Sequence, residues 1–176
     1  MPRRSRLAVI AAALVVALGL QGSASPNPPP GYLGALRWSL PDARFGGFSA
    51  IDLSADGTRF VAVTDRGVIV QGHLQRDAQG RVAAVDAGPL ITLKSHTHAP
   101  LAQGRNDSEG LAVGPDGTVF VSFEGAARVL RYAAPDGLAE NLPTPPEFRA
   151  FGRNSGLESL AIDAADHNAG NIAEHP

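Results

Sequence analysis

The sequence predicts an all-β fold, a β-propeller of four-stranded antiparallel blades, and three observations carry that prediction. A pattern of apolar run, D-G turn, second apolar run, carboxylate and glycine spans Ser49–Gly67, recurs at Glu109–Gly125 and begins again at Glu158–Asp163. Recurrence at roughly 50 to 60 residues marks radial or stacked β architectures. From Tyr32 onward, apolar runs of about four to six residues alternate with Gly, Pro, Asp and Asn, without a sustained helical period.

Residues 1–24 read as a signal peptide. Arg3, Arg4 and Arg6 give a basic start, Leu7 to Leu20 is apolar, and Gly22-Ser-Ala24 supplies the small residues of a cleavage site. The apolar stretch is shorter than the ~20 residues of a spanning helix. Residues 25–31 are a Pro-rich leader that disfavours helix. In the first blade, Ile51–Leu53 and Phe60–Val63 pair across Ala55-Asp-Gly57, with Val68–Leu74 and Arg81–Val85 as third and fourth strands. In the second, Leu111–Val113 and Thr118–Phe123 flank Gly114-Pro-Asp-Gly117, where proline pre-sets φ and glycine takes the left-handed position. Ala127–Tyr132 and Leu138–Leu142 complete that blade.

A third blade opens at Glu158, and residues 164–176 read as an irregular tail without a return strand. At that spacing residues 32–163 hold about two and a half blades, where closed propellers have about four to eight. The chain reads as the front part of a longer protein, with closure by oligomerisation as the alternative.

Composition narrows the function. The chain has no cysteine, which excludes disulfides, a thiolate nucleophile, a lipid-modified N-terminal cysteine and Cys-ligated zinc. Formal charge is −2, and losing the three arginines of the signal segment, which holds no acid, takes it to −5. A mildly acidic chain without a basic stripe predicts no nucleic-acid partner and no membrane partner after signal cleavage. A periplasmic or secreted location is expected.

The repeat also predicts where acids gather. A residue just before the first strand of a hairpin and one just after the second lie at its open end, and equivalent ends of all blades share one pole. That brings Asp65, Glu109, Glu124 and Glu158 to one mouth of a central channel, with Asp107 close by. Carboxylates crowded together repel, and a hard divalent cation resolves the conflict. Oxygen-only ligation on loops suits calcium, so the four are candidate metal ligands, and Glu109 and Glu158 candidate catalytic carboxylates. Equally, each acid can bond backbone N–H groups or pair with Arg66, Arg105 or Arg128. His96-Thr-His98 lacks a third ligand for a transition metal. Ser108 and Ser155 lie near acids without a G-x-S-x-G elbow, and Gly46-Gly47 reads as a turn.

Thr64-Asp-Arg-Gly67, Asp107-Ser-Glu-Gly-Leu-Ala112, Pro115-Asp-Gly117, Phe123-Glu-Gly125 and Asn154-Ser-Gly-Leu-Glu-Ser-Leu-Ala161 fall in an order that resembles the phytase-like domain family, described as esterase-like activity of phytase. The resemblance runs from about Gly31 to Asp163. It implies an exported bacterial β-propeller and a phosphoric-ester hydrolase related in form to calcium-dependent propeller phytases. Its acidic rim carries over to Asp65, Glu109, Glu124 and Glu158. The expected ligand is a small-molecule ester or phosphate. Two alternatives remain open: a lactonase or carboxylic-ester hydrolase of the gluconolactonase kind, and a non-catalytic periplasmic binding propeller.

Overall fold

A computed structural model describes residues 28–152, 156–163 and 172–173, and the chain divides into two compact units, Met1–Leu33 and Gly34–Pro176. The expected signal peptide, the start of the Pro-rich leader and Ser155 lie outside the described residues. In the first unit the stretch 28–33 is exposed, and the Tyr32 N–H donates to the Pro29 carbonyl at 3.0 Å. The second unit is all-β, and every pair of its strands runs antiparallel.

Its first repeat is a meander of β1 (Phe48–Leu53), β2 (Arg59–Thr64), β3 (Val68–Arg76) and β4 (Val82–Ala87), with β5 (Ile91–Thr92) added against β3. The second repeat is a meander of β6 (Ser108–Val113), β7 (Val119–Phe123), β8 (Arg128–Tyr132) and β9 (Glu140–Asn141). The D-G turns work alike in both. Gly57 (φ +66°) donates to the Ser54 carbonyl at 2.7 Å and Gly117 (φ +86°) to Gly114 at 2.9 Å. That left-handed backbone favours glycine. The preceding aspartates, Asp56 and Asp116, accept from the N–H of Thr58 and Thr118 at 3.0 and 2.9 Å.

Three features depart from the sequence expectation. The inner strands β1 and β6 begin three residues early, because each carries a bulge that lets pairing continue past the predicted start. The register shifts between Phe48 and Ala50 and again between Ser108 and Gly110, leaving Ser49 and Glu109 as the inserted residues. Next, the fourth strand of the first repeat is split. β4 pairs with Gly72–Arg76 and β5 with Val68 and Ile69, and between them lies Pro89, which has no N–H for a ladder. Finally, the tail does supply a short return strand, since β10 (Ala161–Ile162) pairs with β11 (Ile172–Ala173). Before it, a 3-10 helix at Pro146–Ala150 starts on proline, whose fixed φ suits a first turn.

The main core lies between the two repeats. Val63, Ile69 and Leu93 of the first pack against Leu111, Val121, Phe123 and Leu130 of the second. Full burial of such a side chain stabilises by about 1.5–3 kcal/mol. On the other face of the first sheet, Phe60, Ala62, Val68, Val70 and Leu90 are covered by Trp38 and Phe45, with Trp38 stacked on Phe48 at 5.5 Å. Register makes Ile51 and Leu111 equivalent, opposite Ala62 and Val121. Leu111 is 6% exposed under the first repeat, whereas Ile51 is 60% exposed on the outer face. The repeats therefore stack in one direction.

Candidate functional site

The bulges sit where the acids gather. In the first repeat the Asp65 N–H donates to the Gly47 carbonyl at 2.8 Å, and in the second the Glu124 N–H donates to Asp107 at 2.9 Å. These matching bonds close the open end of each hairpin and make Gly47 and Asp107 equivalent, as are Asp65 and Glu124. Between them the bulge presents Ser49 in one repeat and Glu109 in the other. Bulges re-aim side chains in this way at the edges of sheets and beside sites.

Serine hydroxyls tie neighbouring repeats together at the same level. Ser49 Oγ donates to the Ser108 carbonyl at 2.6 Å, and Ser122 Oγ donates to the Leu157 carbonyl at 2.8 Å. Leu157 precedes Glu158 as Ser108 precedes Glu109, so both repeats satisfy the equivalent carbonyl of the next. Ser108 Oγ, fully buried, donates back to the Thr64 carbonyl at 2.6 Å. Gly110 leaves room for the third repeat, because a Cβ there would lie 3.0 Å from the Leu160 nitrogen.

As a result, Asp107, Glu109 and Glu124 each place a carboxylate oxygen within 4.8 Å of the others. Glu109 is half-buried, and its carboxyl is pushed up to about 7. Burial is the largest cause, followed by the charges of Asp107, Glu158, Glu124 and Asp65. Burial and the surrounding negative charges thus hold this proton near neutral pH. Glu124 Oε1 also accepts from the Gly156 N–H at 3.4 Å, which draws the third repeat toward the cluster.

The four acids singled out in the sequence fall into two groups. Glu109 and Glu124 stand in the tight cluster; Asp65 and Glu158 are exposed and flank it. Asp107 completes the cluster, and its place is set by the backbone equivalence with Gly47 rather than by the strand pattern. Asp65 lies 3.4 Å from Arg66, an exposed pair of small energetic weight. Its carboxylate rests over Gly47 (φ +64°), where a Cβ would collide with it. Among the described residues, Asp107, Glu109, Glu124 and Glu158 form no salt bridge.

Two arginines beside the cluster, Arg128 and Arg66, are otherwise engaged. Arg128 is 8% exposed, stacks 4.3 Å over the Phe123 ring, and donates to the carbonyls of Ala126 (3.0 Å) and Arg105. Burial, reinforced by the Arg105 charge, lowers its pKa to about 10. Arg66 donates to the Gly46 carbonyl at 2.8 Å. His96 and His98 are exposed and belong to no three-ligand group among the described residues, and Ser108 is committed to Thr64. A broad groove at the opposite, D-G end of the hairpins is lined by Asp52, Val113, Gly117 and Phe120 and by none of these acids.

The fold and the rim define an all-β protein of repeated antiparallel meanders with an acidic pole able to hold a metal ion. The chain belongs to the family described as Phytase-like, esterase-like activity of phytase, whose model matches residues 43–176. No curated protein matches the chain. Among solved structures, a functionally unknown protein from Desulfotomaculum acetoxidans is similar at 12% identity and a TM-score of 0.37. The alignment covers 57% of this chain and 28% of that one, so the chain spans well under half of that protein's length.

Proposed function

We propose that this protein is an exported, calcium-dependent hydrolase of phosphoric esters, with Asp107, Glu109 and Glu124 as ligands and Asp65 and Glu158 beside them. The supporting observation is that three carboxylates stand within 4.8 Å of one another without a salt bridge among the described residues. Oxygens sharing one calcium ion at about 2.3–2.6 Å lie no more than about 5 Å apart, and an all-oxygen anionic set suits a hard cation. The donor set fits.

Bound there, calcium would polarise an ester oxygen and acidify a water. The side chains divide the remaining work. Asp107 and Glu124 contribute the negative charge that retains the cation. Glu109, whose carboxyl lies near 7 without a cation, gives up that proton as calcium binds and joins them as a ligand. Glu158, exposed at its side, is the candidate general base. The N-terminal signal pattern supports a periplasmic or secreted location, and the net acidity supports a small-molecule ester or phosphate partner over nucleic acid or membrane.

The test is release of inorganic phosphate from a model phosphomonoester with calcium present. Chelation and Glu109→Gln should each abolish it in folded protein. A folded chain that neither takes up calcium nor releases phosphate would sink the reading.

One observation favours a second reading, a lactone or carboxylic-ester hydrolase. Arg66 is held by Asp65 and Gly46, and Arg128 is buried on carbonyls, so Arg105 is left among these three to meet a polyanion. Such a substrate needs no cationic rim, and turnover on a lactone panel without phosphate release would select it.

A further inference from the structure

We propose that Arg128 is the positioning residue of the acidic rim, clamping together the two loops that carry Asp107 and Glu124; this rests on the cation-binding reading above. Its three partners bracket those acids in the chain. The Arg105 carbonyl is two residues before Asp107, the Ala126 carbonyl two residues after Glu124, and the Phe123 ring immediately before Glu124. One planar guanidinium thus spans both loops, with its face on the Phe123 ring of the strand that delivers Glu124. The Glu124 N–H bond to the Asp107 carbonyl, 2.9 Å long, closes the same gap from the rim side.

The first repeat supplies the control. Pairing of Ala62 with Val70 and of Val121 with Leu130 makes Val68 the counterpart of Arg128. Val68 is 4% exposed and packs in an apolar cluster, so the fold needs no cation at that position. The first repeat also has Gly47 and Ser49 where the second has Asp107 and Glu109. The buried arginine and the acidic cluster occur in the same repeat.

Burying a guanidinium without a carboxylate is costly, and packing alone would be met by valine. Arginine adds a rigid fork that bonds two carbonyls at once, which lysine's single ammonium on a flexible stem does not reproduce. Groups behind a metal site that orient its ligands change metal affinity about 10–100-fold when removed.

The full chain carrying Arg128→Val, and separately Arg128→Lys, should be compared with wild type. Two readouts apply: amide hydrogen exchange at Glu124 without cation, and calcium affinity by titration calorimetry. Arg128→Val should unfold cooperatively, expose the Glu124 amide at least about tenfold more, and weaken calcium about 10–100-fold. Arg128→Lys, which keeps the charge and loses the fork, should shift both in the same direction. Unchanged Glu124 exchange in either folded variant overturns the clamp. If the valine variant does not fold, the lysine variant decides. Wild-type protein that takes up no calcium would remove the cation reading, while the exchange result still judges the clamp.

Discussion

Asp107 and Glu124 are joined twice, by a 2.9 Å backbone bond from the Glu124 N–H to the Asp107 carbonyl and by carboxylates that share one cluster. The backbone bond exists in the first repeat as well, between Asp65 and Gly47, where one partner has no side chain. The second repeat adds chemistry to a joint the fold already makes.

That arrangement predicts graded effects of neutralising each acid. Asp107→Asn, Glu109→Gln and Glu124→Gln should each weaken calcium by at least about tenfold, the loss typical even of groups one shell further out. Asp65→Asn should cost less, since its carboxylate is exposed and already shared with Arg66. Calorimetric titration of the four variants checks the order. Equal losses at Asp65 and Glu109 would contradict a cluster of three with flanking acids.

The second prediction concerns pH. The Glu109 carboxyl is raised from 4.5 to about 7 in the folded chain, so the native state binds this proton more tightly than the unfolded state. Its contribution to stability is therefore greatest below the unfolded value and is lost as pH rises toward 7. In chelator, the melting temperature should fall across that window, and Glu109→Gln should flatten the slope. Added calcium should reverse the trend and release protons. A wild-type slope identical to that of the glutamine variant would show that Glu109 does not carry it.

The D-G turns and most strands were legible in the sequence because glycine after aspartate forces a left-handed step and the apolar runs flank it. The pole at which acids collect was legible for the same reason. In the sequence Asp107 reads only as a neighbour, because its place depends on a bulge, and Ser49 and Glu109 carry no shared side-chain signal of one. The split of the fourth strand at Pro89 and the clamp at Arg128 were illegible too. Both depend on what faces them across the sheet, and in the sequence Arg128 reads as a pairing partner for the acids.

Two glycines separate backbone strain from collision. Gly47 and Gly117 both have positive φ, but a Cβ at Gly47 meets the Asp65 carboxylate, whereas at Gly117 nothing lies within 4 Å. Gly117→Ala should cost about 1–2 kcal/mol, the penalty of the left-handed backbone. Gly47→Ala should cost more and also lower calcium affinity by displacing Asp65. Urea unfolding of both variants measures the difference. Equal costs would mean that Asp65 moves aside freely.

The serine ties make a further prediction. Ser122→Ala leaves the Leu157 carbonyl without its 2.8 Å donor, whereas Ser108→Ala removes one donor from the Thr64 carbonyl, which keeps the Gly67 N–H at 3.1 Å. Ser122→Ala should destabilise by about 1–3 kcal/mol, the cost of an orphaned buried acceptor, and Ser108→Ala by less. Ser54→Ala, at an exposed turn, should cost less. Denaturant midpoints for the three variants check the ranking.

The bulge shared by Ser49 and Glu109 has a consequence for how such proteins diversify. One backbone kink accepts a short hydroxyl or a long acid with the adjoining β-ladder in the same register. A carboxylate can be placed at this spot or removed from it by a single codon change while the scaffold stays as it is.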